Sequence, residues 1–343
     1  MKEPKKILLV RTDRLGDVIL STPAIKNLRL AFPEAHIAFM CRPYTRGALE
    51  GNPYLNEVII CDKYGKHKNF WGILKLASLL RRKKFGWAII LHPTNRAHLV
   101  TFLAGIKFRV GWDRKMGFLL TKGIAHSKEE GQKHELEYTL DILRELNIPI
   151  TDKQTYFPIR QEAEQKIEEL FVKYGLNRSD KIVVMHPSAS CPSKRWPQEK
   201  FSQLIKLLRE KLNVKVVIIT SKDEVEFGKM IVEENEVIDL RGKLSISEVG
   251  ALLKRCALFI SNDSGPVHIA ASLNIPVIAI FGRKNPGLAP ERWGPVGTNS
   301  FYFHKDVGCE TCLAHNCDKG FLCLEKIAPQ KVANKAISIL SKG

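Results

Sequence analysis

The chain has 343 residues, 44% of them hydrophobic, and a formal net charge of +18. That length and composition supply a large core and favour two domains over one. They leave no run of about 18 uncharged apolar residues, which argues against a transmembrane helix, and the lysine-flanked "ILLV" near the start is too short for a signal peptide.

A cytosolic protein is therefore expected. The positive charge is uneven. Residues 1–128 hold 24 Lys+Arg against 8 Asp+Glu, whereas residues 129–343 hold 30 against 28. Such asymmetry points to an anionic partner for the first third: nucleic acid, a membrane surface or a polyanionic substrate. A solvated basic face is the plainer alternative.

In chain order, apolar strand-like runs alternate with helical patterns. Strands are predicted at 7–10, 36–41, 57–61, 87–91 and 108–112, with helical stretches "TPAIKNLRLAF", "FWGILKLASLLRR" and "NRAHLVTFLAG" between them and a polar helix near 131–146. After "YFPIRQEAEQKIEELFVKYGL" the rhythm restarts, with strands at 181–186, 214–220, 237–240, 257–261 and 276–281. One later helix opens with Ser245 and Glu248 in capping-box spacing. This alternation implies two doubly wound α/β domains with parallel sheets, bounded near 155–180, with ligands at the C-terminal strand ends and in the cleft between domains. No G-x-G-x-x-G, Walker A or D-x-D motif occurs, which disfavours a dehydrogenase, an ATPase or a metal-bridged diphosphate site.

Three strand-to-helix turns carry the chemistry. In "RTDRLGDVIL", Asp17 follows a glycine at the mouth of a helix. It is either a helix cap or a reactive carboxylate, with Arg11 and Arg14 beside it. In "VVMHPSASCPSKRWPQEKF", Ser188, Ser190 and Lys194 precede a helix and suit a diphosphate without a metal counter-ion, a solvated loop being the alternative. In "SNDSGPVHIAAS", Asp263, Ser264 and His268 surround a helix start that favours an anion, although simple N-capping explains them too. The helix "FWGILKLASLLRRKKFGW" mixes aromatic and basic residues. It reads as an amphipathic helix on its own sheet, with docking to an anionic membrane as the second reading. Near the C-terminus, Cys309, Cys312, Cys317 and Cys323 stand within fifteen residues. A tetrahedral Zn or Fe site, disulfides and free thiols all remain open for them.

Taken together, "KILLVRTDRLGDVILSTPAIKNLRLAFPEAHI", "GIKFRVGW", "HPSASCPSKRWPQEKF" and "SNDSGPVHIAASLNIPVIAIFG" resemble the bacterial ADP-heptose:lipopolysaccharide heptosyltransferases of glycosyltransferase family nine, in order and spacing along nearly the whole chain. The resemblance implies a GT-B fold, α/β with two facing Rossmann-like parallel-sheet domains. Residues 1–165 would bind the acceptor and 176–325 the ADP-sugar, and 326–343 would form a helix crossing back to the first domain. It implies an inverting, metal-independent transfer of L-glycero-D-manno-heptose. Asp17 matches the catalytic base. Ser188 and Lys194 match the diphosphate site, Asp263, Ser264, Gly265 and His268 the donor motif, and Glu224 the ribose-holding carboxylate, for which a first-turn helix carboxylate is the alternative.

The acceptor would be an anionic lipopolysaccharide precursor, Kdo-lipid A or a heptosylated core, at the inner face of the cytoplasmic membrane. Arg11, Arg14, Arg42, Arg96 and Arg109 are its candidate contacts. No cofactor is expected for catalysis, and any Zn or Fe at the cysteines would be structural. The rivals are a different nucleotide sugar or a protein acceptor, a sugar-nucleotide epimerase on the same fold, and a nucleic-acid binder. The last lacks a recognisable motif.

Overall fold

A computed structural model describes residues 3–342 and divides the chain into two compact units. The first spans 1–129 and 133–158, the second 130–132 and 159–343. The boundary thus falls before the helix that begins at Gln161, and that helix belongs wholly to the second unit rather than being split at 165.

The first unit runs β1 (Lys6–Val10), α1 (Leu15–Ile19), α2 (Thr22–Ala31), β2 (His36–Cys41), β3 (Glu57–Ile60), α3 (Phe70–Lys83), β4 (Trp87–Ile90), α4 (Asn95–Leu103), β5 (Phe108–Asp113), β6 (Lys122–Ala125) and α5 (Glu135–Arg144). Its six parallel strands lie in the order β3-β2-β1-β4-β5-β6. The central strands are apolar almost throughout because helices cover both faces of the sheet, and in β1 the residues Ile7 to Val10 are fully buried.

The second unit runs α6 (Gln161–Lys173), β7 (Lys181–His186), α7 (Gln198–Lys211), β8 (Val214–Ile218), α8 (Lys229–Glu234), β9 (Ile238–Asp239), α9 (Ile246–Leu253), β10 (Leu258–Asn262), α10 (Pro266–Ser272), β11 (Val277–Phe281), α11 (Pro290–Trp293), β12 (Ser300–His304), α12 (Leu322–Glu325) and α13 (Pro329–Leu340). Its parallel sheet, β12-β11-β10-β7-β8-β9, repeats the strand order of the first. In each sheet the order reverses beside the first strand, between β1 and β4 and between β7 and β10. The crevice at such a switch point is where open α/β sheets take ligands. The capping box at α9 is present: Ser245 Oγ accepts from Glu248 N–H at 3.4 Å, and Glu248 accepts from Ser245 N–H at 2.6 Å.

Two features depart from expectation. The edge strands β6 and β12 are additional, one closing each sheet. The terminal helix α13 does not leave for the first unit. Its Val332, Ala333, Ala336 and Leu340 enter the second unit's core beside Phe201, Leu204, Ile205 and Leu208 of α7. Lys181 Nζ also donates to the Leu340 carbonyl at 2.8 Å.

Candidate active site

The turn after β1 builds a buried ionic cluster. Arg11 leaves the strand end with 1% of its surface exposed. A guanidinium in that position needs partners, and it has three carboxylates. Nε donates to both oxygens of Asp13 at 2.9 and 3.0 Å, and Nη2 donates to Asp17 at 2.5 Å and Glu135 at 2.9 Å. Glu135, from α5, also accepts from Lys128 Nζ at 2.7 Å. The half-buried His92, after β4, approaches Asp13 at 3.6 Å.

Asp17 is thus no isolated carboxylate, and it is not the helix cap either. The cap position of α1 is Arg14, and Asp17 is the third helical residue, aimed at Arg11. Burial pushes its carboxyl up to about 6, and the neighbouring Asp13 and Glu135 add to this against the pull of Arg11. Burial, with Arg11 and Lys128 nearby, holds His92 down at about 3, so its ring is neutral. Asp17 keeps 11% of its side chain open where Glu135 keeps 1%. A carboxyl near pH 6 with an open edge is suited to taking a proton at neutral pH.

The arginines expected to hold an acceptor separate into groups. Arg11 is saturated and inaccessible, so it positions Asp17 and offers no face to a ligand. Arg109 sits at the start of β5, the end of the sheet opposite the turn after β1. It donates to the carbonyls of Leu119, at 2.7 Å, and Ile106, and lies against Phe102. Arg96 donates to the backbone carbonyls of His67 and Lys68, which ties down the loop before α3. Arg14 is exposed at the start of α1. Arg42 follows β2 and lies between the rings of Tyr44 and Tyr64, at 4.6 and 4.7 Å. Of the five, Arg14 and Arg42 stand at the same end of the sheet as Asp17 with surface open to solvent.

At the corresponding end of the second sheet, His186 closes β7 and gathers three serines. Its Nε2 is 3.1 Å from Ser188 Oγ, and its Nδ1 is 3.3 and 3.2 Å from Ser261 and Ser264 Oγ. Burial holds the imidazole down at about 4, so it is neutral and one ring nitrogen accepts. Ser188 and Ser221 both donate to Glu224 Oε2, at 3.1 and 2.9 Å. Asp263 receives two cations, Lys194 at 3.0 Å and Arg283 at 2.7 Å. His268 is buried in the first turn of α10. Gly265 precedes that helix with ordinary helical dihedrals.

Ser188, Lys194, Glu224, Asp263 and Ser264 therefore share one rim, joined by residues the motif reading did not single out: His186, Ser261 and Arg283. The rim holds two cations, two carboxylates, four hydroxyls with Ser221 included, and a neutral imidazole, a dense set of hydrogen-bonding groups in which Lys194 is the cation suited to a phosphate-bearing ligand.

All eight cysteines are free thiols. Cys309, Cys312, Cys317 and Cys323 are half-buried and line a cavity of about 380 Å³ with Arg283, Lys284 and His304. Burial raises the Cys312 thiol, but N–H groups from Lys284, Ala314 and Asn285, with Arg283 nearby, outweigh it and lower its proton affinity. Among the described residues no three His, Cys, Asp or Glu side chains converge as a metal-ligand set. Of the three readings left open for these cysteines, this arrangement is that of free thiols.

Residues 73–322 match the model of Glycosyltransferase family 9 (heptosyltransferase). The chain is 26% identical to lipopolysaccharide heptosyltransferase 2 of Escherichia coli K12 over 98% of both proteins. The crystal structure of a family 9 glycosyl transferase from Veillonella parvula DSM 2008 superposes with a TM-score of 0.87 at 25% identity, covering 100% of this chain and 99% of that one. The Escherichia coli ADP-heptose lps heptosyltransferase II gives 0.80 at 24% identity, covering 98% and 99%. The two-sheet architecture is the GT-B fold of these structures.

Proposed function

The chain belongs to glycosyltransferase family 9, and on that premise we propose that this glycosyltransferase moves heptose from ADP-L-glycero-D-manno-heptose to the inner core of a lipopolysaccharide precursor, with inversion and without a catalytic metal. The observation that carries this reading is the ionic cluster around Asp17. It supplies a largely buried carboxyl, raised to about 6 and with a small part of its edge open, at the switch point of the first sheet.

In the proposed reaction the acceptor hydroxyl attacks the anomeric carbon from the face opposite the departing ADP. Asp17 takes the hydroxyl proton as the new bond forms. Arg11 and Glu135 hold the carboxylate in place. Arg14 and Arg42 bind anionic groups of the acceptor. On the donor side, Lys194 offsets charge developing on the leaving diphosphate, Arg283 holds Asp263 in place, and Ser188, Ser261 and Ser264 supply directional hydroxyls. Glu224 accepts from the ribose hydroxyls. His186 fixes the serine rotamers, and His268 lies at the base of the same motif. The second unit's smaller positive excess suits a small donor, and the more basic first unit suits a polyanionic lipid. The protein then works at the inner face of the cytoplasmic membrane as a peripheral enzyme. Among the described residues no helix is long and apolar enough to cross a membrane.

A thermal-shift panel of ADP, UDP, GDP and CMP and their sugars tests the donor, since a ligand of the native state raises the melting temperature. A shift with ADP and ADP-heptose alone is expected. A shift with UDP or GDP and none with ADP removes the heptosyl assignment.

A further inference from the structure

Tyr44, Tyr64, Phe70 and Trp71 all stand out into solvent in the first unit, Trp71 with 70% of its surface open. Single exposed apolar residues need no explanation, but grouped ones mark interaction sites. Phe70 and Trp71 meet edge to face at 6.1 Å. They are the first two residues of α3, and their exposure is not required by the helix. Its packing face is Gly72, Leu76, Ala77 and Leu80, all buried.

The loop presenting these rings is firmly built. The Asp62 carboxylate folds back to accept from the N–H groups of Gly65 and Lys66, at 2.9 and 3.0 Å. Asp62 N–H donates to His67 Nδ1 at 3.0 Å. Arg96 holds the His67 and Lys68 carbonyls. Asn69 caps α3 by accepting from Gly72 N–H at 2.9 Å. Gly72 is needed for this closure, because a Cβ there would meet the Lys66 carbonyl oxygen at 2.4 Å. The loop's one acidic residue is thereby spent on its own backbone, while Lys66 and Lys68 remain exposed beside Tyr64, Phe70 and Trp71.

The patch is also continuous with the candidate acceptor side. Tyr64 lies on the Arg42 guanidinium, Arg42 lies on Tyr44, and Tyr44 Oη donates to the Asp13 carbonyl at 3.3 Å. Aromatic rings with a polar edge favour the headgroup level of a bilayer, and lysines beside them favour anionic lipid.

We propose that the Tyr64–Lys66–Lys68–Phe70–Trp71 patch seats the protein on an anionic phospholipid surface, with the rings at headgroup depth and the lysines on lipid phosphates. The proposal deepens the acceptor reading and rests on it for its purpose, because a lipid-borne acceptor must be met at a membrane.

The test is co-sedimentation of the full chain with phosphatidylcholine vesicles, with and without phosphatidylglycerol, at low and high salt. Binding to the anionic vesicles only, weakened by salt, is expected. The double variants Phe70→Ser/Trp71→Ser and Lys66→Glu/Lys68→Glu should each lower vesicle affinity roughly tenfold or more, with unchanged melting temperature, because these side chains are exposed. Both should transfer sugar to a water-soluble, delipidated acceptor at the parent rate. Equal binding by parent and variants, or no preference for the anionic lipid, overturns the proposal. So does self-association in lipid-free buffer that the same substitutions abolish, which would give the patch to a second copy. If the parent sediments through this patch but transfers no sugar to any lipopolysaccharide acceptor, docking stands and the acceptor reading fails.

Discussion

Asp17→Asn separates a reactive carboxylate from a structural one. Asparagine keeps the size of the side chain and an oxygen for Arg11 Nη2, while Arg11 retains Asp13 and Glu135 as counter-ions. The expected loss is about 100-fold or more in kcat, the ordinary contribution of a general base, which corresponds to about 2.7 kcal/mol of barrier. Stability should move the other way. The folded carboxyl is raised from 3.8 to about 6, so the native state binds this proton more tightly than the unfolded chain. That contribution is fully present below about pH 4 and is lost as pH rises through 6. Ionised Asp17 at pH 8 therefore costs about 3 kcal/mol relative to the unfolded reference, a cost that asparagine does not carry. The variant should melt no lower than the parent at pH 8, and any advantage should vanish toward pH 4. The parent's kcat/KM should fall below about pH 6 as Asp17 takes up its proton. Steady-state kinetics of ADP release and thermal melts at the two pH values decide the matter. Near-normal kcat in the variant refutes Asp17 as the base, and a sharply lower melting temperature at pH 8 refutes the electrostatic account.

Lys194→Ala removes one of two cations on Asp263 and should weaken ADP binding about tenfold or more in calorimetry, since charge-assisted contacts are the strong ones. Unchanged ADP affinity would take Lys194 out of the donor site. Glu135→Gln deprives buried Arg11 and Lys128 of a shared carboxylate and should cost about 3 kcal/mol in denaturant melts, the scale for breaking a buried ion pair. A variant as stable as the parent would show that the cluster is not part of the fold's stability.

The central strands were legible because burial on both faces leaves long apolar runs. The edge strands β6 and β12 were not. β6 reads Lys-Gly-Ile-Ala with alternate residues exposed, and β12 follows a stretch crowded with glycine and proline. The amphipathic pattern of α13 states that a face is buried, but not which neighbour covers it, and family expectation supplied the wrong one. Asp17, Ser188, Lys194 and Asp263 stood out because each lies in a strand-to-helix turn or in the first turn of the helix that follows. Glu135 could not, since it meets Arg11 across 124 positions of sequence. His186 carried a readable signal as the last residue of a strand inside a motif already noticed, and Asp13 lay within the opening turn itself.

Charge shows most plainly what a composition can and cannot say. The first third's excess of positive residues points either to an anionic partner or to a solvated basic face. The structure takes Arg11 and Lys128 into the interior, where they neutralise carboxylates. It spends Arg96 and Arg109 on backbone carbonyls. A guanidinium already desolvated and paired has little left to give a substrate, because every new contact would have to replace an existing charge-assisted bond. The cations near Asp17 with surface open to solvent form a smaller set, Arg14 and Arg42, extended by Lys66 and Lys68 beside exposed aromatic rings. That set can separate its tasks: two arginines for the anionic groups of a bound molecule, two lysines for the surface on which it is presented. The division predicts opposite behaviour with a delipidated acceptor. Changing Arg42 should raise its apparent KM, whereas changing Lys66 and Lys68 should leave that KM unmoved.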